Sequence, residues 1–355
     1  MKKLTLFLTF LFICNISFGQ NKVEAEKLVE EGIILHDKGD YEGAIAKYDM
    51  ALKLDTVNFY ALAEKAMTLL YSQKYEEAIQ VSHTAIDKHI GIEVLNAVYI
   101  TLGNAYDGLQ KPEKSIEIYD EGLNLYPDSY LLYFNKGITL SGIQKTDDAI
   151  LCFQKSALLN PYHASSHNAI ARLLHMKGLR IPSLLAYCRF LTIEPQSQRA
   201  NDNLQNLQKI MISNVEKTGK KSVTITIGAD LLDDSTAQDR PKENRFTSTD
   251  LILSMVAALD YDKKNKKKTE VEQFIRKFET VCASLDETKA NNHGFYWEYY
   301  VPYFIEMKDR ELIETFAYIA FASSDKPYID KWLKENENKT DAFFEWSESF
   351  KWEVD

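Results

Sequence analysis

Cysteine is scarce in this chain: its 355 residues hold 4. One, Cys14, lies in an apolar leader, and the remaining Cys152, Cys188 and Cys282 cannot all pair, so disulfides do not hold the fold. Cys152 and Cys188 leave a bond between them open, with buried thiols the expectation. An excess of positive charge is also missing. Lys and Arg number 42 against 52 Asp and Glu, for a net charge of −10. Such a chain is repelled by phosphate backbones, so nucleic acid is not an expected partner. Its one basic run, Lys263-Lys264-Asn265-Lys266-Lys267-Lys268, reads as a solvated loop. Past the leader, no apolar stretch is long enough to cross a membrane.

Reactive motifs are lacking too. There is no His-Glu-x-x-His, no phosphate-cradling glycine loop and no glycine-flanked serine elbow. No catalytic residue, cofactor or metal site is therefore expected. His163 and His167 stand four apart with His175 beyond them, but two imidazoles without a placed third ligand make a weak metal site. Asp230, Asp233 and Asp234 lack the glycine and terminal glutamate of a calcium loop. Glu298 and Glu306 are read as flanking a buried stripe rather than as an acid–base pair.

What is present begins with the leader. Lys2 and Lys3 precede an apolar stretch from Leu4 to Ile13, and Ser17-Phe18-Gly19 offers small residues ahead of Gln20. This is the pattern of a secretory signal over residues 1–19, cleaved near Gly19/Gln20. Bulky Ile13 before Cys14 argues against lipid attachment there. The expectation is an exported protein, periplasmic or otherwise of the cell envelope.

From Ala25 onward the chain repeats itself. Segments starting at Ala25, Phe59, Asn96, Tyr130 and Ala164 share a period of 34 residues, with a short insertion before Asn96. Position eight is small throughout: Gly32, Ala66, Gly103, Gly137 and Ala171. Position twenty is small as well, with Ala44, Ala78, Ser115, Ala149 and Ser183. Position twenty-four carries Tyr48, Ser82, Tyr119, Phe153 and Tyr187, and Pro127, Pro161 and Pro195 close three of the units. Small residues let two helices approach, an aromatic fills the space between one hairpin and the next, and proline ends the second helix. One hairpin buries about four large side chains at ~2 kcal/mol each. Ordering its backbone costs ~1–2 kcal/mol per residue, so only a contiguous stack can fold.

The runs Gly39-Asp40-Tyr41…Ala44-Ile45…Tyr48…Ala51-Leu52 and Leu102-Gly103-Asn104-Ala105-Tyr106…Pro127 resemble the tetratricopeptide repeat family over about residues 22–211. Units fall near 25–58, 59–92, 96–129, 130–163 and 164–197, with a capping helix over 198–211. Ser82, Pro112 and the irregular turn Leu179-Arg180-Ile181-Pro182 depart from the family pattern. The resemblance implies a curved solenoid whose first helices line a groove at positions two, five, nine, twelve and thirteen. These include Ile33, Tyr60, Met67, Leu70, Tyr71, Ile100, Asn104, Asp107, Phe134, Ile138, Arg172 and His175. Family members that clamp a carboxylate tail use lysines and asparagines there; only Asn104 fits, so that clamp is not expected. The groove is instead expected to take a peptide or helix of a protein partner through apolar pockets.

The pattern breaks over 212–246, a linker in which Val223, Ile225 and Ile227 alternate as a short strand would and Asp230–Asn244 reads as loop. Beyond it, 247–355 is read as a second helical domain. Val271, Phe274, Ile275, Phe278, Val281, Cys282 and Leu285 share one helical face. Shorter patterns cover Leu251–Leu259, Leu312–Ala320, Tyr328–Leu333 and Phe343–Phe350. Its aromatic run, Phe295 to Phe304, is read as core, with a ligand platform as the alternative. The expected class is all-α: a hairpin solenoid followed by a helical, aromatic-rich domain. The expected role is an envelope scaffold or adaptor; the alternative is an envelope enzyme or glycan binder acting through the C-terminal domain.

Overall fold

A computed structural model describes residues 21–89, 93–219, 222–227 and 245–352. The leader, Cys14 and the polar stretch Asp230–Asn244, with Asp230, Asp233 and Asp234, lie outside the described residues.

Five hairpins follow the 34-residue period. They are α1 (21–37) with α2 (Tyr41–Leu54), α3 (Phe59–Tyr71) with α4 (Tyr75–Lys88), and α5 (Asn96–Gly108) with α6 (Pro112–Leu125). Next come α7 (Tyr130–Gly142) with α8 (Thr146–Leu159), and α9 (Ala164–Met176) with α10 (Arg180–Ile193). All five turns have one geometry. Position fifteen is left-handed each time: Gly39 (φ 79°), Gln73 (61°), Gln110 (59°), Gln144 (62°) and Gly178 (72°). In the second turn Gln73 N–H donates to Leu70 O at 3.0 Å and Lys74 N–H to Leu69 O at 2.8 Å. These two bonds define a Schellman ending, which satisfies carbonyls that the helix leaves open. The fifth turn is therefore regular, contrary to expectation. Pro182 falls in the first turn of α10 and Pro112 opens α6, places where a missing N–H costs no helical bond.

The small positions do what their spacing predicts. A Cβ on Gly32 would lie 2.4 Å from the Tyr48 ring, and one on Gly103 would lie 2.3 Å from the Tyr119 ring. Tyr48 and Tyr119 thus each cover the glycine of their own hairpin, a contact the expected inter-hairpin role did not include. Tyr119 also shares a core with Leu132 of the following hairpin. Ion pairs repeat with the same spacing. Asp49 meets Lys65 at 2.6 Å and Asp120 meets Lys136 at 2.5 Å, each joining position twenty-five of one hairpin to position seven of the next.

The chain forms two compact units, 1–152 and 153–355. Their division falls within α8 rather than at the 212–246 linker, and the reason lies in α10. In α4 the buried residues are Ala78, Ser82 and Ala85, as expected of a helix with one face outward. In α10 every residue from Arg180 to Thr192 is buried. The fifth hairpin is the centre of the second unit, enclosed by helices from the end of the chain.

Those elements are α11 (Gln198–Ile212), α12 (Thr247–Ala258), α13 (Glu270–Thr288), α14 (Val301–Asp309), α15 (Ile313–Ala320), α16 (Pro327–Glu335) and α17 (Glu337–Ser349). A π-helical turn, Tyr296–Tyr300, leads into α14. The predicted strand is β2 (Val223–Ile225), paired antiparallel with an unanticipated β1 (Val215–Lys217) in the register Val215↔Ile225. Ile227 lies outside it. Among the described residues no helix is long and apolar enough to cross a membrane.

Candidate functional site

In the first unit, Met67, Leu70 and Tyr71 on α3 face Ala97, Ile100 and Asn104 on α5, with Leu131 on α7 closing one end. The cleft measures about 550 Å³. Five predicted groove residues therefore line one cavity: Met67, Leu70, Tyr71, Ile100 and Asn104. Ala97 and Leu131 were not singled out, although both occupy position two, and that rule applied to every repeat would have found them.

Tyr71 is 60% exposed. Its ring is nonetheless placed, standing edge-on to His36 with centroids 5.2 Å apart, while His36 Nδ1 lies 2.8 Å from Thr68 Oγ1. Asn104 Oδ1 accepts the Tyr119 hydroxyl at 2.6 Å, which fixes the amide and leaves its NH2 as the donor at the cleft. One helical turn from the lining residues stand two acids, Glu64 before Met67 and Asp107 after Asn104. Burial raises the pKa of each; His36 opposes the shift at Glu64 and Thr139 opposes it at Asp107.

The other predicted groove residues lie elsewhere. Ile33 and Phe134 are half-buried, and Tyr60 and Ile138 are exposed; none of the four lines the cleft. Arg172 and His175 belong to the second unit. Arg172 lines a polar hollow there with Asn168, Asp202 and Asn206, so these two predicted groove residues are not part of this cleft.

The histidine group resolves into structural contacts. His167 is fully buried, with Nδ1 2.8 Å from the Tyr300 hydroxyl and Nε2 3.0 Å from the Pro161 carbonyl. That pairing makes Nε2 the protonated nitrogen, donating to Pro161 while Nδ1 accepts from Tyr300. Burial, aided by the charge of Arg189, lowers its pKa to about 3. His163 Nδ1 lies 2.8 Å from Ser166 Oγ. Among the described residues no group of three His, Cys, Asp or Glu is placed to hold a metal.

The aromatic run is core. Tyr296, Trp297, Tyr299, Tyr300, Tyr303 and Phe304 are each at most 4% exposed. Tyr299 donates its hydroxyl proton to Ala157 O at 2.8 Å. Arg189 of α10 is fully buried among the rings of Tyr162, Tyr303 and Trp352. It donates to Pro161 O and to Ser347 Oγ near the end of α17. Aromatic faces, one carbonyl and one hydroxyl take the place of a carboxylate. Glu298 accepts from Gly294 N–H, and Glu306 from Trp346 Nε1. The first is a local tie and the second joins α14 to α17; the two acids are engaged separately.

A family model described as tetratricopeptide repeat matches residues 97–129, the third hairpin. The STIP1 homolog of Dictyostelium discoideum is 27% identical over 168 residues, taking in 39% of this chain and 30% of its own. A tetratricopeptide repeat-containing protein of Methanocaldococcus jannaschii is 28% identical over 175 residues, 46% of this chain and 30% of its own. The chain thus spans less than a third of the length of these curated relatives. A solved tetratricopeptide protein of Thermus thermophilus is similar at 18% identity, covering 53% of this chain and 98% of that one with a TM-score of 0.44. With five hairpins on a 34-residue period and a family match on the third, residues 21–193 form an array of tetratricopeptide repeats.

Proposed function

We propose that the protein is an exported scaffold that binds a peptide or helix of another protein in the α3–α5–α7 cleft. The observation that carries this reading is the cleft itself: apolar walls, an exposed but oriented Tyr71 and a fixed amide at Asn104. Such a combination suits a side-chain anchor flanked by polar contacts. Glu64 and Asp107 make no ion pair with a lysine or arginine among the described residues, so a partner with basic residues beside its anchor fits best. Export rests on the leader pattern and places the partner in the cell envelope. The second reading, an enzyme or glycan binder in the C-terminal half, draws no support from an aromatic run that is buried.

The test is affinity capture from the native envelope with the full chain and with a Met67→Ala/Tyr71→Ala double variant whose circular dichroism is unchanged. Recovery of the specific partner should fall about ten-fold, as for loss of a hot-spot anchor. Equal recovery removes the cleft from the account. N-terminal sequencing of the mature protein checks export, which requires a chain starting near Gln20.

A further inference from the structure

A pocket of about 420 Å³ opens in the second unit between α11, β1 and α13, within the roughly 300–1,000 Å³ typical of small-molecule sites. Its walls include Met211, Ile212, Phe274 and Phe321. Lys217, Lys266 and Lys277 line it against Asp260 and Glu270, and Arg276, not itself on the lining, adds a further cation to Asp260. Lys277 and Arg276 both bind one carboxylate, Asp260; the Lys277 contact is 2.5 Å. Lys277 is 5% exposed and lines the pocket. Of its three donors, Asp260 takes one. Arg276 Nε and Nη1 are buried without a hydrogen-bond partner among the described residues.

The neighbouring acids are already engaged. Glu270 is held by Lys326 and by Gln208 Nε2. Asp262 accepts the backbone amides of Lys264 and Asn265. Two further lysines, Lys217 from β1 and Lys266 from the basic run, line the pocket from exposed positions. The loop expected to be merely solvated thus turns one of its lysines toward a cavity. In a chain of net charge −10, this is a local reversal of sign with apolar walls around it. Burial, opposed by Asp260, lowers the Lys277 pKa, and Arg276 and Arg180 push it the same way; a second anion would relieve that crowding.

We propose that this pocket binds an organic carboxylate with an apolar body, its charged group among Lys277, Lys217 and Lys266 and its body against Phe274 and Phe321. The apolar walls supply burial, and the excess cations set the sign of the ligand.

Calorimetric titration of the full chain tests it, using octanoate, octanol and octylammonium as probes at about 0.15 M salt. Octanoate should bind with a stoichiometry of one and at least ten-fold tighter than octanol, and octylammonium should be weaker still. Lys217→Glu and Lys266→Glu should each weaken octanoate about three-fold or more, since both replace an attractive exposed charge by a repulsive one. Lys277→Met removes a buried ion-pair partner and risks the fold, so the exposed lysines carry the test. Octanol binding as tightly as octanoate overturns the proposal. So does octanoate affinity unchanged within two-fold in both reversals, or no octanoate uptake by a chain of native circular dichroism.

Discussion

The fourth helix and the tenth hold the same place in their hairpins, yet one buries a single face and the other buries everything. In α4, Tyr75-Glu-Glu-Ala-Ile-Gln-Val-Ser-His-Thr-Ala-Ile-Asp-Lys88 alternates apolar and charged residues at helical spacing. In α10, Arg180-Ile-Pro-Ser-Leu-Leu-Ala-Tyr-Cys-Arg-Phe-Leu-Thr-Ile193 has no acid and no lysine, and its two arginines are inside. The 34-residue period fixes where a helix starts and turns. It does not fix what lies on the outer side of that helix. That is decided by whether the outer face can be hydrated, and α10 cannot be.

The largest test of this contrast is truncation. Phe190→Ala in α10 should cost about 3–5 kcal/mol, whereas Met50→Ala, on the exposed side of α2, should stay within about 0.5 kcal/mol. All four tryptophans lie between Trp297 and Trp352, so fluorescence in urea follows the second unit and circular dichroism follows both. Similar costs at the two sites would erase the distinction.

Acid should act through His167. Its pKa is lowered from 6.5 to about 3 by burial and by Arg189, so the unfolded chain takes up a proton near pH 6.5 that the folded chain refuses until about pH 3. Stability from this group is present above that window and falls as pH drops through it, by up to ~1.4 kcal/mol per pH unit. Between pH 7 and 4.5 the urea midpoint of His167→Gln should fall less steeply than that of the wild type. Parallel curves would mean that His167 does not set the slope.

In the first unit, Gly103→Ala drives a Cβ into the Tyr119 ring and should cost about 1–3 kcal/mol, read from thermal melts. Smallest of all, Gln144→Gly relieves a left-handed φ of 62° and should add about 0.5–1 kcal/mol. No change at Gln144 would show that its turn is already satisfied.

Much of the first unit is legible because its information is local and repeated. Small residues at eight and twenty, rings at twenty-four and prolines at the ends each recur, and the structure uses them to pack helix on helix and to end helices. The cleft is half legible: the position rule finds Met67, Tyr71 and Asn104, while omitting Ala97 and Leu131 left its floor incomplete. Arg172 and His175 meet the same rule, yet they belong to the second unit, because periodicity says nothing about where a compact unit ends. The second unit is written in long-range contacts. Tyr300 with His167 and Ser347 with Arg189 are separated by 133 and 158 residues, and no local pattern announces such pairs. One clue was present, the absence of an outward-facing polar stripe in α10.

That absence also limits exchange of parts. The first three hairpins bear like residues at like positions, and the Asp49–Lys65 and Asp120–Lys136 pairs recur at one offset. A gene duplication that copied one of them would hand its neighbours a surface they already accept. Copying the fifth would leave a second α10, apolar around its circumference and carrying two arginines, with no C-terminal helices to wrap it. The array is therefore free to lengthen among its first three members, while the fifth counts as a repeat in spacing but not in interchangeability.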